Sequence, residues 1–198
     1  MSQGLYRNAG LTLRRALEEL KHYTKSMSSF DTSQEENLVQ VYPGKARQEE
    51  STRQLYTTPF HISLLSDEDE EQEQVGAEFI SEQDVNLLSA TLLFNMALAH
   101  QLNGSLTVDT KKAIAFYRLA LTTSQRTDIL DRADIALLAV AIGNNLAACF
   151  AELFLYEQLA SCLEWTLDTA EEMMGDYSFF WTNLVQWQNT QCLSAAAA

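Results

Sequence analysis

A chain of 198 residues with 46% apolar side chains is long enough for one domain with a real core, or for a short array of repeats, and too apolar to be disordered throughout. Its net charge of −14 is carried almost wholly by residues 54–198, where 5 Lys/Arg face 20 Asp/Glu, whereas residues 1–53 hold 8 against 7. Such a surface repels phosphate backbones and anionic lipid head groups over a Debye length of roughly 10 Å, so no nucleic acid is expected as partner and a basic or neutral apolar protein surface is.

Only 7 glycines and 2 prolines interrupt the chain, which favours an all-α fold. The first predicted helix covers residues 4–25, with Ala9, Leu13, Ala16 and Leu20 on one stripe and Tyr6 at its start. An isolated helix cannot bury such a stripe, so cover is expected from the helix of residues 81–103 and from Tyr56 or Phe60. With that cover, Leu13→Asp should destabilise the fold by roughly 3 kcal/mol or more.

Residues 26–80 read as an insertion. Both prolines, Pro43 and Pro59, lie here, and the β-branched and aromatic stretches 38–42 and 57–65 predict short extended segments that could pair. Residues 66–76 hold six carboxylates between 67 and 73 and predict an exposed acidic run. Ser81 with Asp84 three later predicts a capping box that opens the next helix.

Helices are expected at 85–103, 110–124, 132–153 and 156–173, with a capping helix inside 175–193 that carries Tyr177, Phe180, Trp181, Leu184 and Trp187. The first four contain an internal similarity: "LFNMALAHQLNG" (93–104) aligns with "GNNLAACFAELF" (143–154), Asn95 matching Asn145, Met96 matching Leu146, Ala97 matching Ala147 and His100 matching Phe150. A second helix follows each, with Ala113, Tyr117 and Ala120 in one and Leu159, Leu163 and Thr166 in the other. These positions resemble the tetratricopeptide repeat, a 34-residue antiparallel helix pair. No proline closes a unit, and Phe154 stands where the second unit would have its turn glycine.

The resemblance implies a single TPR-like domain over 1–198: an isolated repeat helix (4–25), the insertion (26–80), two units (81–174) and the cap (175–193). It also implies a short α-solenoid whose concave groove binds a peptide or helix. By position that groove comprises Thr91, Phe94, Leu98, Gln101, Leu102, Asn144, Ala148 and Glu152, with Ala141 and Ala151 beside them. The subfamily that grips a C-terminal carboxylate needs Lys and Asn among the positions of Phe94, Leu98, Asn144 and Ala148, which cannot supply that charge. The groove is instead apolar and suits an amphipathic segment or the protein's own insertion.

Catalytic signals are missing from the sequence. His22, His61 and His100 lack ligand spacing, and no phosphate loop, H-E-x-x-H or G-x-S-x-G occurs. Cys149, Cys162 and Cys192 form no C-x-x-C and read as free thiols of a reducing compartment. The N-terminus has no signal peptide, and the longest apolar run, 135–143, is about half the ~20 residues that span a bilayer. The expectation is a non-catalytic protein-binding adaptor or scaffold of the cytoplasm, without cofactor, metal or membrane insertion. The alternatives are a structural subunit of a larger assembly and an enzyme on an α-bundle.

Overall fold

The computed structural model describes residues 3–27, 39–43, 56–64, 81–103, 107–125 and 133–172, together with Phe180 and Val185. These form helices α1 (Gln3–Met27), α2 (Glu82–Asn103), α3 (Thr107–Ser124), α4 (Ala133–Glu152) and α5 (Tyr156–Glu172), and strands β1 (Val39–Pro43) and β2 (Phe60–Leu64). The class is all-α with packed helix pairs. The acidic run 66–76 lies outside the described residues, as does the capping helix 175–193 apart from Phe180 and Val185, both helical.

Helix α2 starts where the capping box places it. The Ser81 hydroxyl accepts the Asp84 N–H at 3.1 Å, and its carbonyl takes the Val85 N–H at 3.0 Å. Each helix packs on the next in sequence, α1 on α2, α2 on α3, α3 on α4 and α4 on α5. Three residues join α2 to α3 and three join α4 to α5, so each pair turns back antiparallel. Helix α4 is the axis of the core, because it touches α3, α5, α2 and β1, and Ile135, Leu138, Val140 and Ile142 are all closed to solvent.

The strands pair antiparallel, Val41 opposite Ile62 and Pro43 opposite Phe60. Val39, Val41 and Phe60 point inward and are buried, while Tyr42 and His61 stack on the outer face with centroids 5.8 Å apart. A two-stranded ribbon is marginal alone in water. This one is held because its inner face lies on α2 and α4.

Helix α1 departs from expectation. It packs on α2 as expected, yet no described side chain between Asn8 and His22 reaches full burial: Leu13, Ala16, Leu17 and Leu20 are half-buried and Ala9 is exposed. The rings of Tyr56 and Phe60 pack on those of Phe94 and Phe180, and Leu17 of α1 packs against the same buried cluster. A half-buried Leu13 keeps access to water, so the severe effect expected of Leu13→Asp does not follow.

The second helix pair shows why particular residue types sit at its joints. At the end of α4 the Leu155 N–H reaches the Phe150 carbonyl at 2.9 Å and the Phe154 N–H reaches that of Ala151 at 3.1 Å. This is a Schellman stop whose left-handed residue, at φ 58°, is Phe154 rather than the usual glycine. Between the helices, Gly143 lies directly against Thr166 of α5; a β-carbon there would collide with the threonine Oγ1 and lie 2.9 Å from its Cγ2. The Thr166 hydroxyl is tied to the Cys162 carbonyl at 2.7 Å and so cannot swing aside freely. Gly143→Ala should therefore destabilise the fold by about 1–3 kcal/mol in urea titrations, despite alanine's better helix propensity. Thr166→Ala in the same chain should recover much of that loss, a coupling that a double-mutant cycle measures directly.

Candidate functional site

Two asparagines in otherwise apolar helices create the most specific geometry in the fold. Asn95 of α2 and Asn145 of α4 are aligned with each other in the internal sequence similarity, and each grips one residue of the extended stretch 56–60 by its main chain. The Phe60 N–H donates to Asn95 Oδ1 at 3.0 Å, and Asn95 Nδ2 donates back to the Phe60 carbonyl at 2.9 Å. The Tyr56 N–H likewise donates to Asn145 Oδ1, and Asn145 Nδ2 to the Tyr56 carbonyl, both at 2.9 Å. A side-chain amide is thus used as a neighbouring strand would be, offering one acceptor and one donor to the same residue.

The deeper amide is also the better connected. Asn145 Oδ1 accepts from Asn144 Nδ2 at 3.1 Å, and Asn145 Nδ2 donates to the Tyr117 hydroxyl at 3.0 Å. Tyr117 in turn donates to Gln101 Oε1 at 2.8 Å. With both donors and both lone pairs engaged, Asn145 is saturated, which is what allows a polar side chain at 0% exposure. Burial pushes the Tyr117 phenol well above its ordinary pKa, with the Cys149 thiol adding to the rise and the Asn145 hydrogen bond opposing it. It therefore stays a neutral donor. Burial alone also lifts Tyr56, to about 12.

Aromatic rings fill the space between these polar points. Phe94 meets Phe60 edge-on at 5.2 Å and Tyr117 at 5.6 Å, and Tyr56 lies 5.2 Å from Phe180 and 5.7 Å from Phe60. Along the stretch, Thr58 and Phe60 are buried and Tyr56 half-buried, while Thr57, Pro59 and His61 face out. The alternation is that of an extended chain lying on a surface.

The eight residues singled out from the sequence divide into three sets. Thr91, Phe94, Leu98, Gln101 and Asn144 are buried. Phe94 lies under the 56–60 stretch, and Gln101 and Asn144 belong to the hydrogen-bonded network beside it. The Thr91 hydroxyl is turned back onto the Leu87 carbonyl at 2.8 Å. Leu102 and Ala148 are half-buried, and Glu152 is exposed, accepting from the Thr110 hydroxyl at 3.4 Å. Of these eight, Phe94 is the one that the rings of Tyr56 and Phe60 meet directly. Asn95 and Asn145 appeared in the repeat alignment but not among the groove residues. Their signal was an amide at matching positions of two helices too apolar to leave it unpartnered.

Other reactive groups serve the fold. His100 stacks on Phe116 at 5.5 Å, with Nδ1 3.8 Å from Asp109. Cys149 and Cys162 are free thiols raised by burial, Cys162 to about 11 and Cys149 beyond it. Neither is thiolate near neutral pH. Among the described residues no group of three His, Cys, Asp or Glu could hold a metal ion. Helices Glu82–Asn103 and Ile135–Glu152 are long and apolar enough to cross a membrane by length and composition alone, and their apolar windows are 67% and 78% buried inside the fold.

Two outcomes follow from this geometry. Asn145→Ala removes a hydrogen-bond partner from Tyr56, Tyr117 and Asn144 at once and should lower stability by about 3 kcal/mol, whereas Asn95→Ala, at a half-buried site, should lose about 1–2 kcal/mol. Chemical denaturation of the two variants checks the ranking. The pKa of His100 is lowered from the ordinary 6.5, chiefly by burial and then by Lys112, with Asp109 opposing. The unfolded chain therefore takes up a proton first. The contribution of His100 to stability is intact above that value and falls as the pH drops through it. Melting curves from about pH 7.5 to about pH 5.5 should show this loss, and His100→Phe should flatten the slope. No family model, no curated protein and no solved structure matches this chain.

Proposed function

We propose that this chain is a non-catalytic interaction module, an adaptor that binds extended protein segments on the face formed by α2 and α4. The observation that carries this reading is the pair of amides, Asn95 and Asn145, each closing two hydrogen bonds on the main chain of one residue of an extended stretch. Main-chain recognition of this kind gives affinity without demanding one sequence, and the surrounding rings select side chains. The resemblance of the two helix pairs to tetratricopeptide units points the same way, since such units bind peptides on the corresponding helices. The acidic surface turns nucleic acid and anionic membranes away and leaves proteins as partners. Buried free thiols suit a reducing compartment such as the cytoplasm.

The test is site-specific photocrosslinking in cells. A photoreactive residue replaces Ala148 or Glu152, at the accessible rim of the face, or Leu119, exposed on α3. The expected result is a discrete set of protein adducts from the first two positions that is absent from the third. Equal labelling from all three positions, or adducts from Leu119 alone, would overturn the reading.

A further inference from the structure

Tyr56 and Phe60 are four residues apart in an extended stretch, and the two amides that grip them sit on two different helices of the repeat. The stretch is bound as a ligand is bound. Its contacts at both anchors are side-chain amide to main chain, and its specificity comes from two rings and one small residue turned inward, Tyr56, Phe60 and Thr58. Pro59 lies between the anchors, on the outward side, where a missing N–H loses nothing. Its ring also biases Thr58 toward the extended backbone that the anchors require.

Resting on the adaptor reading above, we propose that residues 56–60 are a tethered ligand occupying the binding face in cis, and that the partner is an extended protein segment of the pattern aromatic–x–small–x–aromatic that exchanges with it. The geometry fixes that pattern. The two amides demand extended backbone with free N–H groups at the first and fifth positions, and the rings of Phe94 and Phe180 demand flat apolar side chains there. The third position faces inward with room for a threonine. Tethering supplies the resident stretch at an effective concentration of the order of millimolar, so a free segment competes poorly until the resident one is weakened.

The experiment uses the full chain and a fluorescent peptide copying residues 53–65, followed by polarisation. The unchanged chain should bind it weakly, and the Tyr56→Ala chain at least about tenfold more tightly, because the tethered competitor has lost one ring while Asn95, Asn145 and Phe94 remain. A peptide N-methylated at its Tyr and Phe amides, and one with both rings replaced by alanine, should each lose about tenfold or more. The proposal is overturned if a Tyr56→Ala chain with a cooperative melt binds no more tightly than the unchanged chain, or if the N-methylated peptide binds equally well. Should Tyr56→Ala fail to fold alone, saturating peptide should restore a cooperative melt, and failure to restore it overturns the proposal too. Crosslinks from Ala148 and Glu152 without peptide binding would leave the adaptor reading standing and remove only the tethered ligand.

Discussion

The structure depends on one saturated amide. Asn145 ties together three parts: the extended stretch through Tyr56, α3 through Tyr117, and its own helix through Asn144. A buried amide with a spare donor would cost the fold a few kcal/mol, and this one has none spare. Because every bond of Asn145 is directional, the stretch cannot slide along the helices without breaking two of them. The apolar surroundings supply the driving force, and the amide supplies the register. Tyr117 extends the same logic across to Gln101 of α2, so α2, α3 and α4 are cross-linked by buried polar groups.

A second constraint comes from apolar surface that the helices alone cannot cover. On the face of α2 and α4, Phe94 shares one buried cluster with Val39, Val41, Phe60 and Phe180, and the rings of Tyr56 and Phe60 pack against it. The two-stranded ribbon and the stretch before it therefore form a third layer, stabilised by a surface that would otherwise be exposed. Helix α1 is covered less completely: among the described residues it packs on α2 and remains half-buried along the stripe of Leu13, Leu17 and Leu20.

Much of this arrangement was legible in the sequence, and the unread part has a common cause. Periodicity located α2, α3, α4 and α5 to within a few residues, because each buries a stripe against a sequential neighbour and local spacing records that directly. The Ser81–Asp84 cap and the paired strands were legible from local chemistry as well. What could not be read was where distant residues meet. Asn95 and Asn145 were aligned as equivalent, yet their ligands lie 35 and 89 residues away, and nothing in their spacing encodes that distance. Tyr56 and Phe60 were expected to cover the stripe of α1, and the ring contacts they make are with Phe94 and Phe180. Aromatic residues advertise that they will be buried without stating against what. The protein's own insertion was one of the two occupants that the apolar character of the candidate groove suggested, and its rings do meet Phe94, but the two amides that hold its main chain were not among the groove residues.

The 89-residue separation between Tyr56 and Asn145 has a kinetic consequence. The contacts within each helix pair join residues close in sequence, and such local contacts form ahead of those that require a long loop to close. The helices can therefore assemble into a nearly complete array while the stretch at 56–60 is still searching for its place. Its arrival converts a chain already collapsed into one with a fixed register, so the last step of folding has the character of an association reaction: a diffusive search, an encounter with a preformed surface, and a zippering of four hydrogen bonds. For this chain, completing the fold means seating an extended segment on a surface that the helices have already formed.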